Sequence, residues 1–142
     1  MTIYYKKIGN IDIELKKKSN DVGINIPLDR NVHIRAFETI HFSLHIGLTI
    51  PENYYGLVIA GPAITQQGVI VPPIIIPPHC NNEIKCVLTN CSAEQYWLKE
   101  GDLFCTILII PNPNIELTKL NNLVENEHNN NGYGSTSELR YI

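Results

Sequence analysis

The sequence predicts an all-β domain, a sandwich, jelly roll or barrel, and three observations predict it. Apolar residues alternate with polar ones at a period of two in several short stretches, the pattern of strands with one buried face. Nine prolines and nine glycines punctuate the chain at short intervals, which disfavours long helices. Over 142 residues, 44% are apolar and 18% charged, the composition of one globular domain that needs neither disulfide nor metal to fold.

Each element follows from local pattern. Ile11, Ile13 and Leu15 alternate, and so do Val32, Ile34 and Ala36. The clearest strand carries Phe42, Leu44, Ile46, Leu48 and Ile50, with Ser43, His45, Gly47 and Thr49 on the opposite parity. Ile84, Cys86 and Leu88 mark another buried face. Leu103 to Ile110 is apolar on both parities apart from Thr106, so that strand is expected to be covered on both sides. Helical pattern is limited to a single turn near Cys91 to Gln95. Beyond Pro113 asparagines dominate and apolar residues thin out. The expected organisation is a β domain over 1–120 and a flexible C-terminal arm over 121–142 that carries Gly132-Tyr133-Gly134-Ser135-Thr136.

Charge narrows the function classes. Lys and Arg total 11 against 14 Asp and Glu, a net charge of −3, which argues against a nucleic-acid partner. The longest strictly aliphatic run is the four residues Ile107 to Ile110, so no membrane partner is expected, and the start of the chain has no apolar signal region. The four cysteines at 80, 86, 91 and 105 include no Cys-x-x-Cys pair. An intracellular protein, cytoplasmic or nuclear, is the expectation.

Few residue groups suggest chemistry by themselves. The two glycines of the arm would let backbone approach a ligand, Ser135 and Thr136 offer donors to phosphate oxygens, and Tyr133 could stack on a base. The plainer alternative is a Gly-rich tail whose tyrosine packs on a neighbouring surface. His41 and His45 share the polar face of their strand, but two histidines without a third ligand make a poor zinc site, and solvent-facing side chains are expected. Cys86 sits on the apolar parity and reads as a small core residue. Asp21-Val22-Gly23 is an acidic site or simply a turn.

In order and spacing these pieces resemble the trimeric dUTPase family. Asp21-Val22-Gly23-Ile24-Asn25-Ile26 is similar to its first motif, Asp-Ala-Gly-Tyr-Asp-Leu. Gly47 to Gly56 resembles the hairpin leading to the second. Gly101-Asp102 opening Leu103 to Ile110 and ending at Pro111 resembles the fourth, and Gly132 to Thr136 the fifth, with Tyr133 for Phe. The resemblance implies a homotrimer of β-clip-type jelly rolls with an exchanged C-terminal arm, nucleotide sites between subunits, and hydrolysis of dUTP to dUMP and pyrophosphate with magnesium. It also implies a nucleotide-contacting set of Asp21, Gly23, Tyr133, Gly134, Ser135 and Thr136.

The departures bear on activity. Where the family's second motif has Arg-Ser-Gly-Leu-Ala, this chain has Gly61-Pro62-Ala63-Ile64-Thr65. Alignment back from Glu83 puts Pro77 at the water-activating Asp, and His79, Cys80 and Asn81 at Asp, Tyr and Arg. Thr106 stands for the fourth motif's Gln, and His128 for the arm's Arg. A positioned base contributes roughly 10²–10⁴-fold, and proline cannot be one. Phosphoryl transfer also leans on cationic clamps, here replaced by Gly61, Asn81 and His128. Asp21, Asp29 and Glu83 are the candidates for a substitute carboxylate.

Two functions stay open. The losses favour a catalytically degenerate relative, a binding, regulatory or structural trimer with no cofactor, weak or no dUTP binding, and a protein partner the sequence does not identify. The alternative is an active dUTP diphosphatase using magnesium. The abundance of Asn and Ile suits an AT-rich genome, and a virus-encoded source is expected by association.

Overall fold

A computed structural model describes residues 1–9, 14–123, 140 and 142 of the chain. Its framework is two four-stranded antiparallel sheets and a two-stranded ribbon. The first sheet has the order β1 (Tyr4–Lys7), β4 (Thr39–Thr49), β8 (Glu83–Asn90), β6 (Val69–Ile70). The second has the order β2 (Ile24–Pro27), β10 (Leu103–Pro111), β5 (Tyr54–Ala60), β7 (Ile74–Ile76). β3 (Val32–Ile34) pairs with β9 (Tyr96–Leu98) as the ribbon. The jelly-roll-like all-β class expected from the sequence is what the chain adopts. Among the described residues no helix is long and apolar enough to cross a membrane.

Period-two patterning built this core where it was strongest. Phe42, Leu44, Ile46, Leu48 and Ile50 are all buried, as are Ile84, Cys86 and Leu88. Phe42 of the first sheet meets Phe104 of the second with ring centroids 5.1 Å apart, which ties the two layers together. Burial pushes the Cys86 thiol up to about 11 and raises Cys105 as well, so both are inert core residues at neutral pH.

Four expectations need correction or fall elsewhere. The strand at Val32 ends at Ile34, and Ala36 is exposed in the turn that follows. Cys91 to Gln95 is bends, not a helical turn. The one short helix among the described residues, α1, is Pro62–Thr65, where Pro62 opens the first turn and needs no amide partner. β10 is enclosed on both sides only near its start. Phe104, Cys105 and Ile107 are buried, whereas Thr106, Leu108, Ile109 and Ile110 stay half-buried in the single chain. Ile11 and Ile13 lie outside the described residues.

Gly23 has a packing reason to be glycine. A Cβ there would lie 2.7 Å from the Ile107 carbonyl oxygen, 2.7 Å from Thr106 Cγ2 and 3.0 Å from Leu108 Cδ2. It marks the close pass of the chain entering β2 across β10. Gly23→Ala should push β2 off β10 and cost about 1–3 kcal/mol, the scale of overpacking a tight site. A lower urea midpoint with an unchanged slope is the result expected.

Candidate functional site

Among the described residues, the first, second and fourth segments that resemble family motifs collect around β10. Asn25 of β2 pairs with Thr106, and Thr106 Oγ1 donates to Asn25 Oδ1 at 3.0 Å. The first and fourth segments are therefore joined side by side. The Gly61 amide donates to the Phe104 carbonyl at 2.8 Å, and a Cβ at Gly61 would come within 2.8 Å of the Leu103 carbonyl oxygen. That holds the second segment against the start of the same strand.

The third segment is elsewhere. Residues 77–82 form the turn between β7 and β8, and the register pairs Gly56 with Ile76 but Ala60 with Cys105. The turn therefore lies at the Tyr54 end of β5 and Gly61 at the other. About five residues of strand separate them, roughly 17 Å. Among its described motif segments, one chain thus presents two groups, with the third and the second at opposite ends of one sheet.

The turn itself is rigid and poor in donors. Pro77 and Pro78 have no amide hydrogen. The His79 amide donates to the Ile50 carbonyl at 2.9 Å, and His79 takes the left-handed conformation at φ 57°. Thr49 Oγ1 donates to Asn81 Oδ1 at 2.8 Å. Beside the turn is a cavity of ≈ 260 Å³ with walls of Ile74, Ile75, Ile76 and Ile84, reached also by Pro77 and Cys80. Glu83 is the one carboxylate among its described lining residues.

Each candidate for a substitute carboxylate is already engaged. Glu83 accepts a short hydrogen bond from Ser43 Oγ. Asp21 Oδ2 accepts the Lys18 amide at 2.9 Å and closes a local turn, so this residue is a turn former in the single chain. Asp29, with a side chain 6% exposed, accepts from His45 Nδ1 at 2.5 Å and pairs with Arg30. Arg30 also donates to the Ser43 carbonyl at 3.0 Å and lies over the Phe42 ring, 4.0 Å from its centroid.

This Asp29–Arg30–His45 cluster was not foreseen. Alternation placed His45 with His41 on one solvent face, but the register shifts between Ser43 and Gly47, and His45 has φ 54°. The irregularity turns His45 toward Asp29 while His41 stays exposed. Among the described residues no three His, Cys, Asp or Glu side chains cluster as metal ligands. Tyr133, Gly134, Ser135, Thr136 and His128 lie outside the described residues.

Burial alone would push the Asp29 carboxyl up. Hydrogen bonds from His45 and Arg30, with their charges, outweigh burial and hold it below the ordinary range. A depressed carboxylate stabilises the fold above its unfolded pKa, about 3.9, and that stability is lost as pH falls through the lower folded value. Asp29→Asn should cost about 1–3 kcal/mol at neutral pH, because Arg30 and His45 are only partly buried. It should also flatten the acid limb of stability against pH. Denaturant unfolding from about pH 2 to pH 7 checks both expectations.

The family model described as dUTPase matches residues 9–137. A deoxyuridine 5′-triphosphate nucleotidohydrolase of Hydrogenobaculum sp. is 28% identical over 112 residues, covering 77% of this chain and 78% of its own. The dUTPase of Staphylococcus bacteriophage 80alpha with dUPNHPP superposes with a TM-score of 0.84 at 15% identity, covering 96% of this chain and 98% of that one. Phage dUTPases are said there to control transfer of virulence genes by a proto-oncogenic G protein-like mechanism. A mutant dUTPase from phage phi11 of S. aureus, reported with a structural Mg(II) ion, superposes at 0.76 with 15% identity, covering 86% and 98%. With its motif segments in family order and the family match spanning nearly its whole length, this chain belongs to the dUTPase family.

Proposed function

We propose that this chain is a catalytically degenerate dUTPase-family protein that works as a non-enzymatic binding, regulatory or structural trimer. One observation carries the reading: the turn aligned with the family's water-activating Asp holds Pro77, and the three carboxylates that could stand in for it are already bonded. A base contributes roughly 10²–10⁴-fold, and a carboxylate locked to a serine or a guanidinium is not positioned on water. Nucleotide contacts would reduce to Gly23, Asp21 and the arm residues Tyr133 to Thr136, too few to hold a triphosphate without arginines.

Trimerisation is part of the same proposal and does not depend on activity. Two motif groups at opposite ends of a sheet can meet only if one chain's hairpin end faces another chain's β10 end. The outward row of the β2-β10-β5-β7 sheet is apolar, with Leu108 beside Leu57, Leu57 beside Ile75, and Ile75 65% exposed. Ile115, Leu117, Leu120 and Leu123 beyond β10 are 61–92% exposed, as befits an arm that packs on a neighbour. Light scattering should give three times the 16.0 kDa chain mass at micromolar concentration, and a monomer would overturn the assembly.

The names of the relatives favour a second reading, an active dUTP diphosphatase. The described donors build no magnesium cage, so in that case the ion would come with the substrate's triphosphate. Magnesium-dependent pyrophosphate release from dUTP separates the two. Background release is expected, and turnover of about 1 s⁻¹ or more would establish the enzyme. Pro77→Asp alone should restore nothing, because a base without phosphate clamps has no held substrate. Turnover by that variant would mean that only the base had been lost.

A further inference from the structure

His45 is fixed from several sides at once. Its backbone is left-handed, φ 54°, at the irregularity of β4 between Ser43 and Gly47. The His45 amide donates to Ser43 Oγ at 3.0 Å, and its carbonyl accepts the Ile8 amide at 2.8 Å. Nδ1 donates to Asp29 Oδ2 at 2.5 Å, and the Asp29 side chain is only 6% exposed. Arg30 braces the other carboxylate oxygen and is itself anchored at the Ser43 carbonyl and over the Phe42 ring. Strained residues that their neighbours over-determine gather at functional sites, and so do β-bulges.

This arrangement decides where the ring is reactive. A carboxylate that accepts from Nδ1 fixes the tautomer, leaves the lone pair on Nε2 and makes that nitrogen more basic. Among the described residues, both close polar contacts of the ring are made at Nδ1, to Asp29 and to Arg30 Nη1 at 3.0 Å, and none at Nε2. The side chain is 30% exposed, so the ring is open to a small reagent. No third ligand completes a metal site among the described residues, so the lone pair suits an electrophile better than a metal ion. Asp29 balances the positive charge that builds on the ring when Nε2 forms a bond, and Arg30 keeps a cation beside it that attracts an anionic donor. Glu83, the other carboxylate of the cluster, is bonded to Ser43 Oγ.

We infer that His45 Nε2 is a phosphoryl-acceptor site, modified by small acyl phosphates, with Asp29 as its positioning residue. In that step the Nε2 lone pair forms an N–P bond, the P–O bond to the acyl group breaks, and the carboxylate leaves with the electron pair. No proton has to depart, because the Nδ1 hydrogen stays on its bond to Asp29. His45 lies outside the motif-like segments, so the inference stands whether or not dUTP is hydrolysed.

The test is incubation of the full-length chain with acetyl phosphate at neutral pH, with modified residues located by tandem mass spectrometry under alkaline conditions. His41, exposed on the same strand and without a carboxylate partner among the described residues, is the internal control. His45 is expected to be phosphorylated at least about tenfold faster than His41, through a bond that acid cleaves. Asp29→Asn should bring the rate down to that of His41, and His45→Gln should remove the label. Because Asp29→Asn also weakens the fold, nitrogen NMR supplies a second readout. In the wild-type chain the neutral His45 ring should carry its proton on Nδ1, and Asp29→Asn should move it to Nε2. His45 reacting no faster than His41 overturns the inference, and so does a wild-type ring protonated at Nε2. An acid-stable label on Ser43 overturns it as well, since the hydroxyl would then be the acceptor.

Discussion

The antiparallel pairing of β10 on both of its edges is the interaction on which the rest of this structure depends. β2 lies on one side and β5 on the other, and Phe104 reaches across to Phe42 to lock the second layer down. Because both ladders are fixed, a one-residue slip would turn Cys105 and Ile107 out of the core and Thr106 and Leu108 into it. The close pass of Gly23 and the amide of Gly61 are registered to this same strand. The first, second and fourth motif-like segments come together because β10 gathers them.

The same pairing keeps the third segment away. β7 joins the sheet through β5, in a register that carries its turn to the far end. That turn is braced at Ile50 and Thr49 and stiffened by Pro77-Pro78, so it is a formed surface and not a loose loop. On the reading proposed above, family geometry and family chemistry have separated in this chain. The proposal is that the scaffold that would position a nucleotide is present, while the side chains that would hold and attack one are replaced or tied to other partners.

Sequence legibility followed the strength of the local signal. Phe42 to Ile50 and Ile84 to Leu88 were readable because one face is core and the other solvent, so burial and alternation coincide. β1, β5, β7 and β9 were not, because Tyr-rich, Gly-containing or all-aliphatic stretches of three to seven residues carry no clear period. The short helix was hidden by the proline that starts it. Asp29, Arg30 and His45 were missed for a different reason. Their contact depends on an irregularity in β4 that no alternation rule anticipates and on residues 15 or 16 positions apart. Asp29 had been singled out as a carboxylate, but only the fold supplied its partners.

The central proposal is that the dUTPase fold here binds dUTP weakly or not at all. Isothermal titration of the assembled protein with a non-hydrolysable dUTP analogue and magnesium tests it most directly, because it reads binding without requiring turnover. The account predicts no saturable heat up to about millimolar analogue, since a proline-stiffened turn and missing arginines leave little to hold it. Binding at about micromolar or tighter would contradict the account. It would mean that the C-terminal segment and the first-motif segment still build a nucleotide site.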